Sequence, residues 1–272
     1  MTDASQPVDG NAPATLAPRP HTLAVDVGGS GLKASILDAE GAMVAPRVKI
    51  PTPYPLLPER LVAELTALAG QLPAADRASV GFPGMVRAGR VLTAPNLVTQ
   101  RGPGSPVDRT VAAAWDRFDL ARALEHAFGV PTRLANDADI QTLAVVKGEG
   151  LELTITLGTG FGTGMTHHGR LLPHLELAHT IFRKGQTYDE QIGDSTRRQI
   201  SPKRWNRRVE KAVHNMRELM AFDHCYLGGG NARHLTSTKL GADVTIVDNT
   251  AGILGGIKLW DAEHIGLDSH ID

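Results

Sequence analysis

Apolar and polar positions along this chain follow two periods. Leu23 to Val27 is apolar apart from Asp26, and Leu32, Ala34 and Ile36 alternate with Lys33 and Ser35, the two-residue repeat of a strand. Asp38-Ala39-Glu40-Gly41 supplies a turn, and Ala42 to Ile50 predicts a third strand of the same meander. Leu57, Leu61, Leu65, Leu68 and Leu72 then return at helical spacing, with Pro58 near the start, where a missing amide costs nothing. Ala78 to Phe82 is a short apolar run closed by Pro83-Gly84 and predicts a buried strand. The order so far is β-β-β-α-β.

The second half repeats the plan loosely. Asp119 caps a helix through Phe128, closed by Gly129 with Pro131 beyond. Asn136 or Asp137 caps the next helix, which ends near Gly148. Leu151 to Leu157 is rich in strand formers, a Gly/Thr loop follows, and Thr163 to Leu172 predicts a hairpin turning at His168-Gly169. A helix is predicted over 203–221, a strand from Phe222 to Leu227, a last strand from Val244 to Val247 and a last helix over 250–260. Residues 1–20 hold Pro7, Pro13, Pro18 and Pro20 without periodicity and predict a disordered leader, too short for a helix-turn-helix module.

Composition narrows the function. The 272 residues exceed the usual single domain of roughly 100–200. Twenty-eight Lys and Arg against 29 Asp and Glu leave a formal charge of −1, so any affinity for a polyanion must be local. Cys225, the one cysteine, rules out an intrachain disulfide and a cysteine-rich zinc site and fits a reducing cytoplasm. No apolar run approaches the roughly 20 residues of a membrane span, and the first residues lack a secretory apolar core.

Three glycine clusters carry candidate chemistry. Asp26-Val27-Gly28-Gly29-Ser30-Gly31-Leu32-Lys33 lacks the Walker pattern, and the hairpin predicted around it excludes a dinucleotide fingerprint, which needs a helix next. What remains is a tight turn, either bare or presenting amides to phosphate oxygens. Leu157-Gly158-Thr159-Gly160-Phe161-Gly162-Thr163-Gly164 repeats the strand–turn–strand logic, and two such turns could face a polyphosphate from opposite sides. Gly228-Gly229-Gly230-Asn231 follows a strand and suits a nucleotide, another phosphate stretch or simple packing.

Between these lies Leu134-Ala135-Asn136-Asp137-Ala138-Asp139. Asp137 can take a proton from a hydroxyl and Asn136 can orient a substrate; equally, the pair can be a plain helix cap. Asp139 reads as a surface residue favoured by the helix dipole. Glu176 and His179, three apart, would share one helix face if the segment is helical and can hold two neighbouring hydroxyls, or be a surface pair or a satisfied core histidine. Asn96, in Ala94-Pro95-Asn96-Leu97, reads as an ordinary turn residue. His167, His168 and His174 form no spaced metal-ligand set with cysteines, so no metal site is expected. Residues 183–211 hold nine Lys/Arg against four acids, which predicts either a solvated helix face or a tract along a phosphate polymer.

Taken in order, these pieces resemble the ROK family of sugar kinases, on the α/β, ribonuclease H-like fold shared by actin, Hsp70 and hexokinase, with two domains and a cleft between them. The resemblance runs over about 23–260 and is most like the bacterial polyphosphate, or polyphosphate/ATP, glucokinases. It implies a small domain over 21–134, with helix 250–262 returning to it, and a larger one over 135–249. It implies Asp137 as general base toward the 6-hydroxyl of glucose or a related hexose, with Asn96, Asn136, Glu176, His179 and Glu190 around the sugar. Asp26, Gly28, Gly29, Ser30, Gly31 and Lys33 would meet the donor from one side. Gly158, Thr159, Gly160, Gly162, Thr163, Gly228, Gly229, Gly230 and Asn231 would meet it from the other. The donor would be polyphosphate, ATP or both, with Mg²⁺; the protein would be a cytoplasmic homodimer without structural zinc, nucleic acid or membrane partners. Ala178 stands where the family usually has glycine between the glutamate and histidine of its sugar motif, and the family's zinc-binding cysteines are missing. The rival readings are an ATP-only hexokinase of the same family and a non-catalytic sugar-sensing regulator or binding protein.

Overall fold

The computed structural model describes residues 20–237, 239–247 and 251–261, and, of the leader over 1–20, only residue 20. The chain opens with β1 (Thr22–Val27), β2 (Leu32–Leu37) and β3 (Val48–Ile50), an antiparallel meander. The third strand is shorter than the predicted Ala42–Ile50: Pro46 has no amide for the ladder, and upstream only Met43 bridges, to Leu37. α1 (Pro58–Ala69) leads to β4 (Arg77–Phe82), which runs parallel to β1 and is buried along nearly its whole length. The short hairpin β5 (Val86–Arg87) and β6 (Arg90–Val91), then α2 (Arg109–Trp115) and α3 (Leu120–Phe128), precede β7 (Thr132–Asn136), parallel to β4. The first sheet is ordered β3-β2-β1-β4-β7.

α4 (Asp137–Val145) follows β7 without a loop. β8 (Leu151–Leu157), β9 (Phe161–His167) and β10 (Arg170–Leu171) form a second meander, whose last turn falls at His168 and Gly169 as predicted, both with positive φ. Then come β11 (Ile181–Arg183), β12 (Gln186–Thr187), α5 (Tyr188–Ile192), α6 (Asp194–Gln199), α7 (Pro202–Met220), β13 (His224–Gly228), a 3₁₀ turn over Ala232–His234, β14 (Val244–Ile246) and α8 (Ala251–Lys258). The second sheet is ordered β10-β9-β8-β13-β14, with β13 parallel to both of its neighbours. Both sheets thus have the same plan: a central strand, its antiparallel meander on one side and two parallel strands on the other. Among the described residues no helix is long and apolar enough to cross a membrane.

Each sheet has its own core. Leu61, Leu65 and Leu68 of α1 are fully buried against Leu23, Val25 and Ile36, at roughly 1.5–3 kcal/mol per side chain. α7 lays Trp205, Val209, Ala212, Val213 and Met216 on Leu153, Ile155 and Leu157. A third cluster, Ile140, Leu143 and Leu259, joins α4 to the chain just after α8. There Gly255 lets the helices close up, since a Cβ on it would run into the Ile140 carbonyl. Ser79 donates to the Gly256 carbonyl at 2.5 Å and accepts from the Trp260 indole at 2.9 Å, so α8 also seats on the first sheet.

Candidate active site

A cleft of about 880 Å³ opens between the two sheets, lined by strand ends and turns from both. On one side is the turn between β1 and β2, where the Gly28 amide donates to the Gly31 carbonyl at 3.0 Å. Thr52 donates to the Gly28 carbonyl at 2.5 Å, and the Tyr54 hydroxyl lies 2.7 and 2.8 Å from the carbonyls of Gly29 and Asn96. Hydroxyls therefore occupy the turn's carbonyls, while the amides of Gly29 and Ser30 have no acceptor among the described residues. Lys33 and Asp26 pair at 2.7 Å on the same wall.

The opposite side is the turn between β8 and β9, closed by Gly158 N–H to the Gly160 carbonyl at 3.1 Å. Here too the amides of Thr159 and Gly160 lack an acceptor among the described residues. A Cβ on Gly158 would meet nothing within 4 Å, so space above it is open. The third glycine cluster braces this turn. Asn231 donates its backbone N–H to the Leu157 carbonyl and its side-chain amide to the Gly158 carbonyl, each at 2.8 Å. Gly229 needs to be glycine, having φ +84° and room for a Cβ only 2.5 Å from the Leu157 carbonyl. Gly162, Gly229 and Gly230 line the cleft, whereas Gly31, Thr163, Gly228 and Asn231 do not. Thr163 instead donates to the Leu175 carbonyl at 2.9 Å.

The cleft floor is the junction of β7 and α4. Asn136 is the helix cap, accepting from the Ala138 amide at 2.7 Å and donating to the Gly84 carbonyl at 3.0 Å, so both ends of its side-chain amide are engaged. Asp137, the first helical residue, is half-buried and lines the cleft. Burial, together with the charge of Asp26, pushes its carboxyl up to about 7.

Glu176 and His179 both line the cleft, but not from a helix face: 172–177 is an irregular segment and 178–180 a turn. Pro173 and the tether from Thr163 to Leu175 keep this stretch open. Asp139, expected at the surface, is buried, because β9 and α8 flank α4 on two sides. Its carboxylate lies 3.1 Å from His174 Nδ1, and His174 Nε2 lies 3.8 Å from Glu176. Burial alone would lower the His174 pKa, but the bonds to Asp139 and Glu176 outweigh it and raise it to about 10. Hydrogen bonding to His174 in turn lowers Glu176.

Glu190, expected at the sugar, is exposed and closes a capping box: its carboxylate accepts from the Thr187 amide at 2.8 Å, and its amide donates to Thr187 Oγ1 at 3.2 Å. The Thr-x-x-Glu spacing carries that signal in the sequence. Its neighbour Asp189 lines the cleft instead, accepting from the Phe161 amide at 2.6 Å; burial raises its pKa. Asn96 lines the cleft beside Gly29. None of the nine Lys and Arg of 183–211 lines it. Arg208 is buried and donates to the Gln191 carbonyl at 2.8 Å, Arg197 and Arg198 both pair with Asp194, and Lys203, Arg204, Arg207 and Lys211 project into solvent. Among the described residues no group of three or more His, Cys, Asp or Glu side chains is placed to hold a metal ion.

The chain is 28% identical over 251 residues to the polyphosphate glucokinase of Mycobacterium tuberculosis (strain CDC 1551 / Oshkosh), covering 86% of this chain and 89% of the relative. Among solved structures it resembles the inorganic polyphosphate/ATP-glucomannokinase from Arthrobacter sp. strain KM, with a TM-score of 0.73 and 26% identity over 90% of this chain and 100% of that one. A ROK family glucokinase from Streptomyces griseus, in complex with glucose and AMPPNP, shares the fold at a TM-score of 0.66 and 18% identity, covering 88% of this chain and 98% of its own. The architecture is the α/β, actin- and hexokinase-like fold of these kinases. The model of the ROK family matches residues 22–176, from β1 to the Glu176 loop and over half of the chain, and this protein belongs to that family.

Proposed function

We propose that this protein is a glucokinase-type enzyme that transfers a phosphoryl group from inorganic polyphosphate or ATP to the 6-hydroxyl of glucose or a closely related hexose. The broader class, a phosphotransferase with an alcohol acceptor, follows from the family and from relatives that are polyphosphate-using sugar kinases. The observation that carries the reading is the half-buried Asp137 carboxylate, which shares one cleft with two glycine turns whose amides lack protein acceptors.

In this reading the sugar hydroxyl oxygen attacks the terminal phosphorus of the donor. The bond from that phosphorus to the bridging oxygen breaks, the shortened donor leaves with the electron pair, and the hydroxyl proton passes to Asp137. A pKa near 7 suits that task at neutral pH, where the carboxyl can both take up and release the proton. The amides of Gly29, Ser30, Thr159 and Gly160 receive phosphate oxygens from two sides without reorganising. Mg²⁺ arriving with the donor supplies further positive charge; the oxygen ligand of Asp26 beside the first turn suits such a hard ion and would hold it. Glu176, His179 and Asp189 would bind the remaining sugar hydroxyls, and closure of the cleft would exclude water.

The test is glucose-dependent phosphoryl transfer, assayed with long-chain polyphosphate and with ATP, in the wild type and in Asp137→Asn. Turnover with at least one donor is expected, with a loss of roughly 10²–10⁴-fold in the variant. Wild-type kcat in Asp137→Asn would remove Asp137 as the base, and no turnover with either donor would remove the reading.

A further inference from the structure

One buried titratable group is unused by the chemistry above. His174 sits between two carboxylates from different parts of the fold: Asp139, two residues beyond Asp137 on α4, and Glu176, on the cleft loop. Its side chain is only 6% exposed, so the charges it meets are little screened by water. Gly164 lets β9 pack closely on α4 beside the pair: a Cβ there would run into Thr142 Oγ1 and come within 3.1 Å of Asp139 Oδ1. The loop backbone is tied to β9 on both sides of His174, by Leu172 N–H to the Met165 carbonyl at 2.9 Å and by Thr163 to the Leu175 carbonyl at 2.9 Å. Beyond these ties, the Glu176 carboxylate faces His174 Nε2 at 3.8 Å, ion-pair distance.

We infer that His174 is a positioning residue for sugar binding: anchored on Asp139, it holds the Glu176 carboxylate in the orientation that receives sugar hydroxyls, and so ties the helix bearing Asp137 to the sugar loop. The raised His174 pKa agrees, since an imidazolium can donate to both carboxylates at once, whereas a neutral ring can donate to one. Three groups then form one unit with one net negative charge. A neutral residue at 174 leaves Asp139 buried without its cation and Glu176 free to swing. The inference rests on Glu176 being a sugar ligand, as proposed above.

The experiment is a double-mutant cycle read by calorimetric titration of glucose in the absence of donor, using wild type, His174→Gln, Glu176→Gln and the double variant. Each single change is expected to weaken glucose binding about tenfold or more, the range for losing a hydrogen bond to a charged partner. The double variant is expected to bind within about twofold of Glu176→Gln alone, because His174 acts only through that carboxylate. KM for the donor should not move. Independent, multiplying losses would overturn the inference, as would wild-type affinity in His174→Gln. Wild-type affinity in Glu176→Gln would overturn the sugar-ligand assignment as well, which separates the two failures. Should His174→Gln fail to fold, Asp139→Asn/His174→Asn replaces the buried ion pair by a neutral amide pair and enters the same cycle. There too glucose affinity must fall while the fold, followed by thermal unfolding, survives. A folded double variant with wild-type affinity would overturn the inference.

Discussion

A carboxyl is costly to keep charged inside a fold, and Asp137, the proposed base, shows that cost in its raised pKa. Its pKa in the folded chain, about 7, lies above the ordinary 3.8, so folding favours the protonated form. The stabilisation is complete below about pH 4, falls as pH rises toward 7, and is gone above it. Asp137→Asn removes the charge and should raise Tm at pH 8 by one to a few degrees while leaving it unchanged near pH 4, the remaining exposure of the residue limiting the gain. A Tm difference that does not grow with pH would contradict the raised pKa. If Asp137 is the base, as proposed, it sets the acid limb of the rate profile: kcat/KM for glucose should rise tenfold per pH unit below about 7 and level above it. An acid limb near pH 4 would mean that another group, or an unshifted carboxyl, takes the proton. Asn136-Asp137 is legible in the sequence because strand end, cap and helix start are all local. Asp139, His174 and Asp189 are not. Asp139 and His174 lie 35 residues apart, and Asp189 meets Phe161 from 28 residues away, so only tertiary packing makes partners of them.

At the scale of elements, the glycine turns were readable as turns but not by their separate tasks. Gly158 faces open space, whereas Gly229 is bound by its positive φ and by the Leu157 carbonyl. Gly158→Ala should therefore fold with an unchanged Tm yet, in the proposed reaction, raise KM for the donor, its methyl entering the space the phosphates would take. Gly229→Ala should lower Tm by several degrees, since an alanine at positive φ costs about 1–2 kcal/mol before the clash is counted. The reverse pattern in thermal melts and donor kinetics would mean that the third cluster meets the ligand and the second is packing. The strand–helix alternation is equally legible, and its misses have local causes. Pro46 shortens β3, and Pro173 with the Thr163 tether keeps Glu176 and His179 off a helix face. The Thr187–Glu190 capping box was visible in the sequence, and it draws Glu190 away from the cleft.

For the molecule as a whole, charge is distributed in a way the composition does not show. The nine cations of 183–211 stand outside the cleft, and the cleft itself carries Asp26, Asp137, Glu176 and Asp189 alongside Lys33, Arg47 and His174. In the proposed reaction a polyanionic donor would be received mainly by backbone amides, by Lys33 and Arg47 and by the metal it brings, not by the row of lysines and arginines of 183–211. Counterion release adds roughly 0.7–0.9 to the salt slope for each phosphate neutralised by a cationic side chain. A polymer that also touched Lys203, Arg204 and Arg207 would lose activity with a log–log slope steeper by about two than ATP does. With those residues in solvent and Arg208 buried, the slopes for polyphosphate and ATP should agree to within about one half. Replacing Lys203, Arg204 and Arg207 by glutamine should leave both unchanged. The check is kcat/KM for each donor from 50 to 400 mM added salt at fixed free Mg²⁺. A polyphosphate slope that is steeper in the wild type and relaxes to the ATP value in the triple variant would move the polymer's path out of the cleft and along α7.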